Sequence, residues 1–210
     1  MGEPEERGDS IDRIAAAALE LFATKGYKSA SLEEVAALAG FTKGAVYYHF
    51  KSKERLLLRV LQDIEARSID KTSQVIEARG GTATEKLRTF VKCQTNWAAR
   101  HPNDLAVVML MSMESANQDS VIRDQIARFY EKISRLLERI IIAGKETGEF
   151  TTDQDTADIV MYLTAVHDGN MLLWYRGGRA PDIGQRLVKA TLAGFERAVG
   201  AVVPEEASTK

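Results

Sequence analysis

Apolar residues in this 210-residue chain recur at spacings of three and four almost from end to end, and nowhere do they alternate long enough to make a half-buried strand. A repeat near 3.6 buries one face only as a helix, so the chain is predicted to be all-α, with about nine helices. The clearest stripe, Ile122, Ile126, Phe129, Ile133, Leu136 and Ile140, predicts a central core helix over 120–147 that Gly148 ends. Similar patterns predict helices over 10–24, 84–100, 105–113, 153–175 and 181–202, and a long one from Ser52 toward the Gly80–Gly81 break. Pro102 blocks continuation of the helix before it, Gly177 and Gly178 separate the last two helices, and Pro181 suits a first helical position.

The segment SLEEVAALAGFTKGAVYYHFKSK, residues 31–53, holds two short capped helices around a sharp turn. Ser31 can cap the first, with Glu34 reaching back to it, and Gly40 can take the left-handed conformation that ends it. Thr42 can cap the second. Val35, Ala36 and Leu38, with Val46 and Phe50, are expected to pack against Leu21 and Phe22 of the first helix. That is a helix-turn-helix, and its chemistry fits duplex DNA. Gly44 and Ala45 are small enough to let a helix start approach base edges in a major groove, where Lys43 can donate to guanine O6 or N7. The hydroxyls of Thr42, Tyr47 and Tyr48 and the imidazole of His49 suit phosphate oxygens, with Tyr48 also able to brace the head. Lys53, at the start of the next helix, is expected to meet a phosphate.

The run S-L-E-E-V-A-x-x-A-G followed by F-T-K-G-A-V-Y-Y-H-F-K-S-K-E resembles the TetR family of one-component transcriptional regulators, most closely over residues 11 to 60. The resemblance implies a homodimer, a double-stranded DNA operator with two-fold symmetry, and release of that operator when a small-molecule effector binds. It implies that Thr42, Lys43, Gly44, Tyr47, Tyr48, His49 and Lys53 occupy DNA-facing positions, with Ser31 at a phosphate contact. The expected layout is an acidic leader over 1–9, a helix-turn-helix domain over 10–55, a ligand-binding and dimerisation domain over 56–202, and a tail over 203–210.

Composition alone would not suggest nucleic acid, because 28 Lys+Arg against 30 Asp+Glu leave a net charge of -2. Between Gly40 and Val60, however, Lys43, Lys51, Lys53, Arg55 and Arg59 face only Glu54, a basic patch on a mildly acidic body. Cys93 is the single cysteine, which excludes an intrachain disulfide and a cysteine-built zinc site, and a reducing cytoplasm is the expected setting. The leader reads as no signal peptide, and no apolar run is long enough to span a bilayer. Metal-protease, di-iron, phosphate-loop and nucleophile-elbow motifs are absent, so no metal or cofactor is implied. An enzyme, or a helical small-molecule-binding protein that ignores DNA, is the alternative, and either would leave the recognition helix unexplained.

The helix predicted over 153–175 is apolar on nearly every side, and the last helix has two apolar flanks, so a partner chain is the simplest cover. Pairing of this hairpin with its copy as a four-helix interface is therefore expected. Trp97, Met109, Met113, Phe129, His167, Asn170, Met171 and Trp174 are the candidate lining of an apolar effector cavity. His167 and Asn170 stand out, since polar side chains on a buried helix need partners. His101 is expected to cap the end of a helix.

Overall fold

The computed structural model describes residues 4–201, with side chains from residue 8. Its helices are α1 (Pro4–Lys25), α2 (Leu32–Ala39), α3 (Lys43–Phe50), α4 (Lys53–Glu65), α5 (Lys71–Arg79), α6 (Ala83–Arg100), α7 (Pro102–Ser115), α8 (Val121–Glu146), α9 (Thr156–Arg176) and α10 (Pro181–Ala198). A π-helical turn, Ala66–Asp70, joins α4 to α5 without a break, so the described residues form nine continuous rods. Among them the only strand-like pairing is an isolated bridge between Phe150 and Ala201. Helix α1 begins at Pro4 rather than near Ser10, so most of the expected leader is helical. The tail over 203–210 lies outside the described residues.

The chain forms two compact units. The first takes the described residues up to Arg67 together with Arg100–Phe129; the second takes Ser68–Ala99 and the described residues from Tyr130 on. Helix α1 packs on α7 as well as on α2 and α4, which draws Arg100–Phe129 into the first unit. In the first unit Ile14, Ala18 and Phe22 of α1 meet a core that includes Val35, Val46, Phe50, Leu57 and Val60, all buried. Leu38 is the exception, 49% exposed. The buried face of α2 is Leu32, Val35, Ala36 and Ala39, the i, i+3, i+4, i+7 stripe, and Leu38 falls outside it. Asp104, 1% exposed, receives a two-pronged Arg67 guanidinium, with both N–O distances 3.1 Å.

In the second unit the Glu149 carboxylate accepts from the backbone N–H groups of Ala83 and Thr84, both at 3.1 Å. It thereby caps the positive end of α6. Gly144 is needed on α8, because a Cβ there would lie 2.2 Å from the Phe150 ring. His101 does not cap the end of α6. It occupies the N-cap position of α7 with no side-chain capping bond, because Pro102 stops one helix and starts the next immediately.

Candidate nucleic-acid interface and effector cavity

The head is fixed by the predicted caps. Ser31 Oγ accepts from Glu34 N–H at 3.2 Å while Glu34 Oε2 accepts from Ser31 N–H at 2.9 Å, and Gly40 is left-handed at φ 73°. An ion pair with Lys25 and the bonds from Ser31 hold the Glu34 carboxyl down to about 2, so the box is charged at any physiological pH. Ser31 also donates its hydroxyl to Glu34, so a phosphate contact by that side chain requires an exchange of partners. Thr42 Oγ1 accepts from Ala45 N–H at 3.2 Å, leaving its hydroxyl hydrogen for an outside acceptor.

Helix α3 turns Val46 and Phe50 inward and leaves Thr42, Lys43, Gly44, Tyr47 and Tyr48 exposed, with Ala45 and His49 half-buried. Tyr48, 66% exposed, is more open than Tyr47 at 42%, and it meets His49 edge-on with ring centroids 5.3 Å apart. A Cβ on Gly44 would meet only Thr42 Oγ1, at 3.9 Å, so nothing in the fold itself requires glycine there. Lys43 pairs with Glu33 of α2 and lies 5.6 Å from the Tyr47 ring centroid. The pair pulls the Glu33 carboxyl below its usual range and lifts the Lys43 ammonium above its own.

Lys53 departs from expectation. Its ammonium donates to three carbonyls, Tyr27 at 2.9 Å, Lys28 at 3.2 Å and Ala30 at 2.9 Å, and sits 4.6 Å from the Tyr27 ring centroid. An ammonium has three donors, and all are used inside the protein, where they fasten the α1–α2 connection to the start of α4. Arg59 is also engaged, by Asp63 and Asp12. Lys28, Lys51 and Arg55 are exposed cations with no ion pair among the described residues. Lys51 and Arg55 belong to the basic patch already legible in the sequence, whereas Lys28 lies outside it.

A cavity of about 650 Å³ opens within the second unit between α6, α9 and α10. Four of the eight expected lining residues meet there: His167, Asn170, Met171 and Trp174. The other four do not line it. Trp97 is buried on α6 between the lining residues Asn96 and Ala98, Met109 and Phe129 belong to the first unit, and Met113 is 67% exposed. Helical phase explains Met113, which stands two positions from buried Met111 and so on another face of α7. Residues that periodicity did not single out complete the lining, among them Thr95, Arg179, Gln185 and Lys189. His167 is 5% exposed, packs 5.4 Å from the Phe90 ring and makes no hydrogen bond among the described residues. Burial drives its pKa down to about 4, so it faces the cavity as a neutral imidazole. Asn170 donates to Thr191 Oγ1 at 2.8 Å, which leaves its carbonyl oxygen to accept.

A capped helix-turn-helix with an exposed recognition helix therefore accompanies a cavity lined by a buried polar group. Residues 14–60 match the pattern of bacterial regulatory proteins of the tetR family, and residues 80–195 match the tetracyclin repressor-like C-terminal domain. The chain belongs to the TetR family. It is a ligand-responsive, DNA-binding transcriptional regulator, and relatives within the family are named as regulators and repressors rather than enzymes. The transcriptional repressor KstR2 of Mycolicibacterium smegmatis is 25% identical over 202 residues, spanning 94% of this chain and 95% of the relative. The MbdR regulator of Azoarcus sp. CIB is 26% identical, with 92% of this chain and 99% of that one covered at a TM-score of 0.77. The same fold recurs in the regulator FadR of Bacillus subtilis in complex with stearoyl-CoA, 22% identical, covering 91% of this chain and 98% of that one at a TM-score of 0.75.

Proposed function

We propose that this TetR-family chain is a repressor that grips a palindromic operator as a homodimer and releases it when a small, largely apolar effector fills the cavity between α6, α9 and α10. The observation that carries the DNA half is Gly44. The fold leaves open space at its Cβ position, so a glycine there serves an approach from outside, beside Lys43, Thr42, Ala45, Tyr47, Tyr48 and His49. Lys43 is the base reader, leaving Glu33 for guanine, and the aromatic and hydroxyl groups hold phosphates with Lys28, Lys51 and Arg55. Lys53 acts at one remove, by holding the head in shape.

Dimerisation through α9 and α10 is supported by Tyr162, Ala165, Gly169, Leu172 and Leu173, an exposed and mostly apolar stripe on α9. A lone soluble chain gains nothing from such a stripe, whereas a second copy about a two-fold axis buries it against itself. Two recognition helices held about 34–36 Å apart enter successive major grooves. An effector that changes that spacing by favouring another dimer arrangement, with a coupling of about 1–3 kcal/mol, weakens operator binding roughly 5- to 150-fold. The setting is the cytoplasm, where the chromosome lies; no helix among the described residues is long and apolar enough to cross a membrane.

A gel shift with DNA flanking the chain's own gene tests the reading. Retardation by dimeric protein, reversed by a compound that also raises the melting temperature, is the expected result. Protein that is monomeric and ignores that DNA at low salt overturns it.

A further inference from the structure

The two cations that line the cavity between α6, α9 and α10 are both exposed. Its buried lining includes His167, Met171 and Thr191, while its exposed lining carries Arg179, Gln185 and Lys189. No carboxylate lines it among the described residues, although the chain as a whole is net negative. A second groove in the same unit, of about 550 Å³ between α8 and α9, is the reverse: Glu138 and Asp168 line it and no cation does. The two openings therefore present opposite charge; the first adds buried His167, and the second adds Thr164, whose buried Oγ1 has no hydrogen-bond partner among the described residues.

Arg179 is placed there by an unusual backbone. It stands at φ 61°, a left-handed position that a residue with a Cβ rarely takes, directly after left-handed Gly178 in the α9–α10 turn. Its guanidinium lies 5.9 Å from the Tyr175 ring centroid, beside the cavity. Lys189, three turns into α10 at most and on its exposed side, makes no ion pair among the described residues.

We infer that the effector is an amphipathic anion, its carboxylate or phosphate head held at the cavity mouth by Arg179 and Lys189 and its apolar body packed on Met171, Trp174 and Leu187. His167 and the Asn170 carbonyl then meet a polar group carried farther along that body. The inference rests on the cavity being the effector site. It adds the sign of the ligand's charge, which the apolar lining alone does not fix.

The test uses the full chain and four probes sharing one twelve-carbon tail, below micelle-forming concentrations: dodecanoate, dodecyl phosphate, dodecanol and dodecyltrimethylammonium. Binding is followed by the fluorescence of Trp174, one of two tryptophans, and operator occupancy by gel shift. At least one anionic probe is expected to bind about tenfold or more tighter than the alcohol, the scale of a charge-assisted hydrogen bond, and the ammonium weakest of all. A variant carrying Arg179→Gly and Lys189→Gln, chosen because glycine suits the left-handed turn, should bind all four with the affinity wild type has for dodecanol. An ammonium probe that equals the anions, a double variant that keeps the anion preference, or no binding by any probe overturns the inference. Equal release of DNA by acid and alcohol refutes the charge assignment and leaves the cavity as effector site. Selective anion binding that never releases DNA refutes the effector role and leaves the anion site standing.

Discussion

Lys53 separates a residue that touches DNA from one that shapes the surface that does. Replacing it with methionine keeps the stem beside Tyr27 and deletes the ammonium with its three bonds to the carbonyls of Tyr27, Lys28 and Ala30. Two of those bonds are part-buried at 2.9 Å and one is exposed at 3.2 Å. Bonds to a charged donor contribute about 1.5–3 kcal/mol each when desolvated, and water takes over part of that role here, so the loss should total about 2–4 kcal/mol. For a chain of this size that lowers the melting temperature by roughly 4–16 °C. Operator affinity, measured well below the transition, should fall while the slope of log K against log salt stays that of wild type. A direct phosphate contact predicts the converse: unchanged melting and a slope smaller by about 1. That second pattern would refute the structural role.

Gly44→Ala should fold and melt like wild type, since its Cβ enters open space, yet bind operator markedly less well; unchanged affinity in a gel shift removes the close-approach argument. Glu33→Gln releases Lys43 from its carboxylate partner and removes a negative charge from the DNA face, so operator binding should tighten at low salt and converge with wild type at high salt in a fluorescence-anisotropy titration. Acid stability offers a paired test. His167, pushed down to about 4 from 6.5, contributes stability that is complete above pH 6.5 and is lost as pH falls toward 4. Asp168, pushed up to about 6 from 3.8 by burial despite a bond from Tyr130, contributes stability present at low pH and lost as pH rises toward 6. The two slopes oppose each other between pH 4 and 6, each worth about 3 kcal/mol in total. Asp168→Asn should therefore expose the His167 slope, and urea unfolding should show stability dropping on acidification far more steeply than in wild type; parallel profiles would contradict the assignment.

Local chemistry explains what could be read from the sequence. The Ser31–Glu34 box, the Gly40 stop, the Thr42 cap and the inward turn of Val46 and Phe50 each depend on residues within four positions of one another. Such rules act before any tertiary contact forms, so the helix-turn-helix and the all-α class are written in the chain itself. Lys53 illustrates the opposite case. Nothing near it in sequence reveals carbonyls 23 to 26 residues away, so an exposed-looking lysine at a helix start reads as a phosphate ligand until the fold fills its donors. The cavity was half legible for the same reason. His167, Asn170, Met171 and Trp174 share one helix, and their common face follows from helical phase. Arg179, Gln185 and Lys189 join them only because the α9–α10 turn folds the next helix back, and Met113 is lost because its face of α7 is exposed. Periodicity fixes which side of a helix is apolar. Which helices meet across a space, and which charges they bring to its mouth, is a matter of long-range packing that no local pattern encodes.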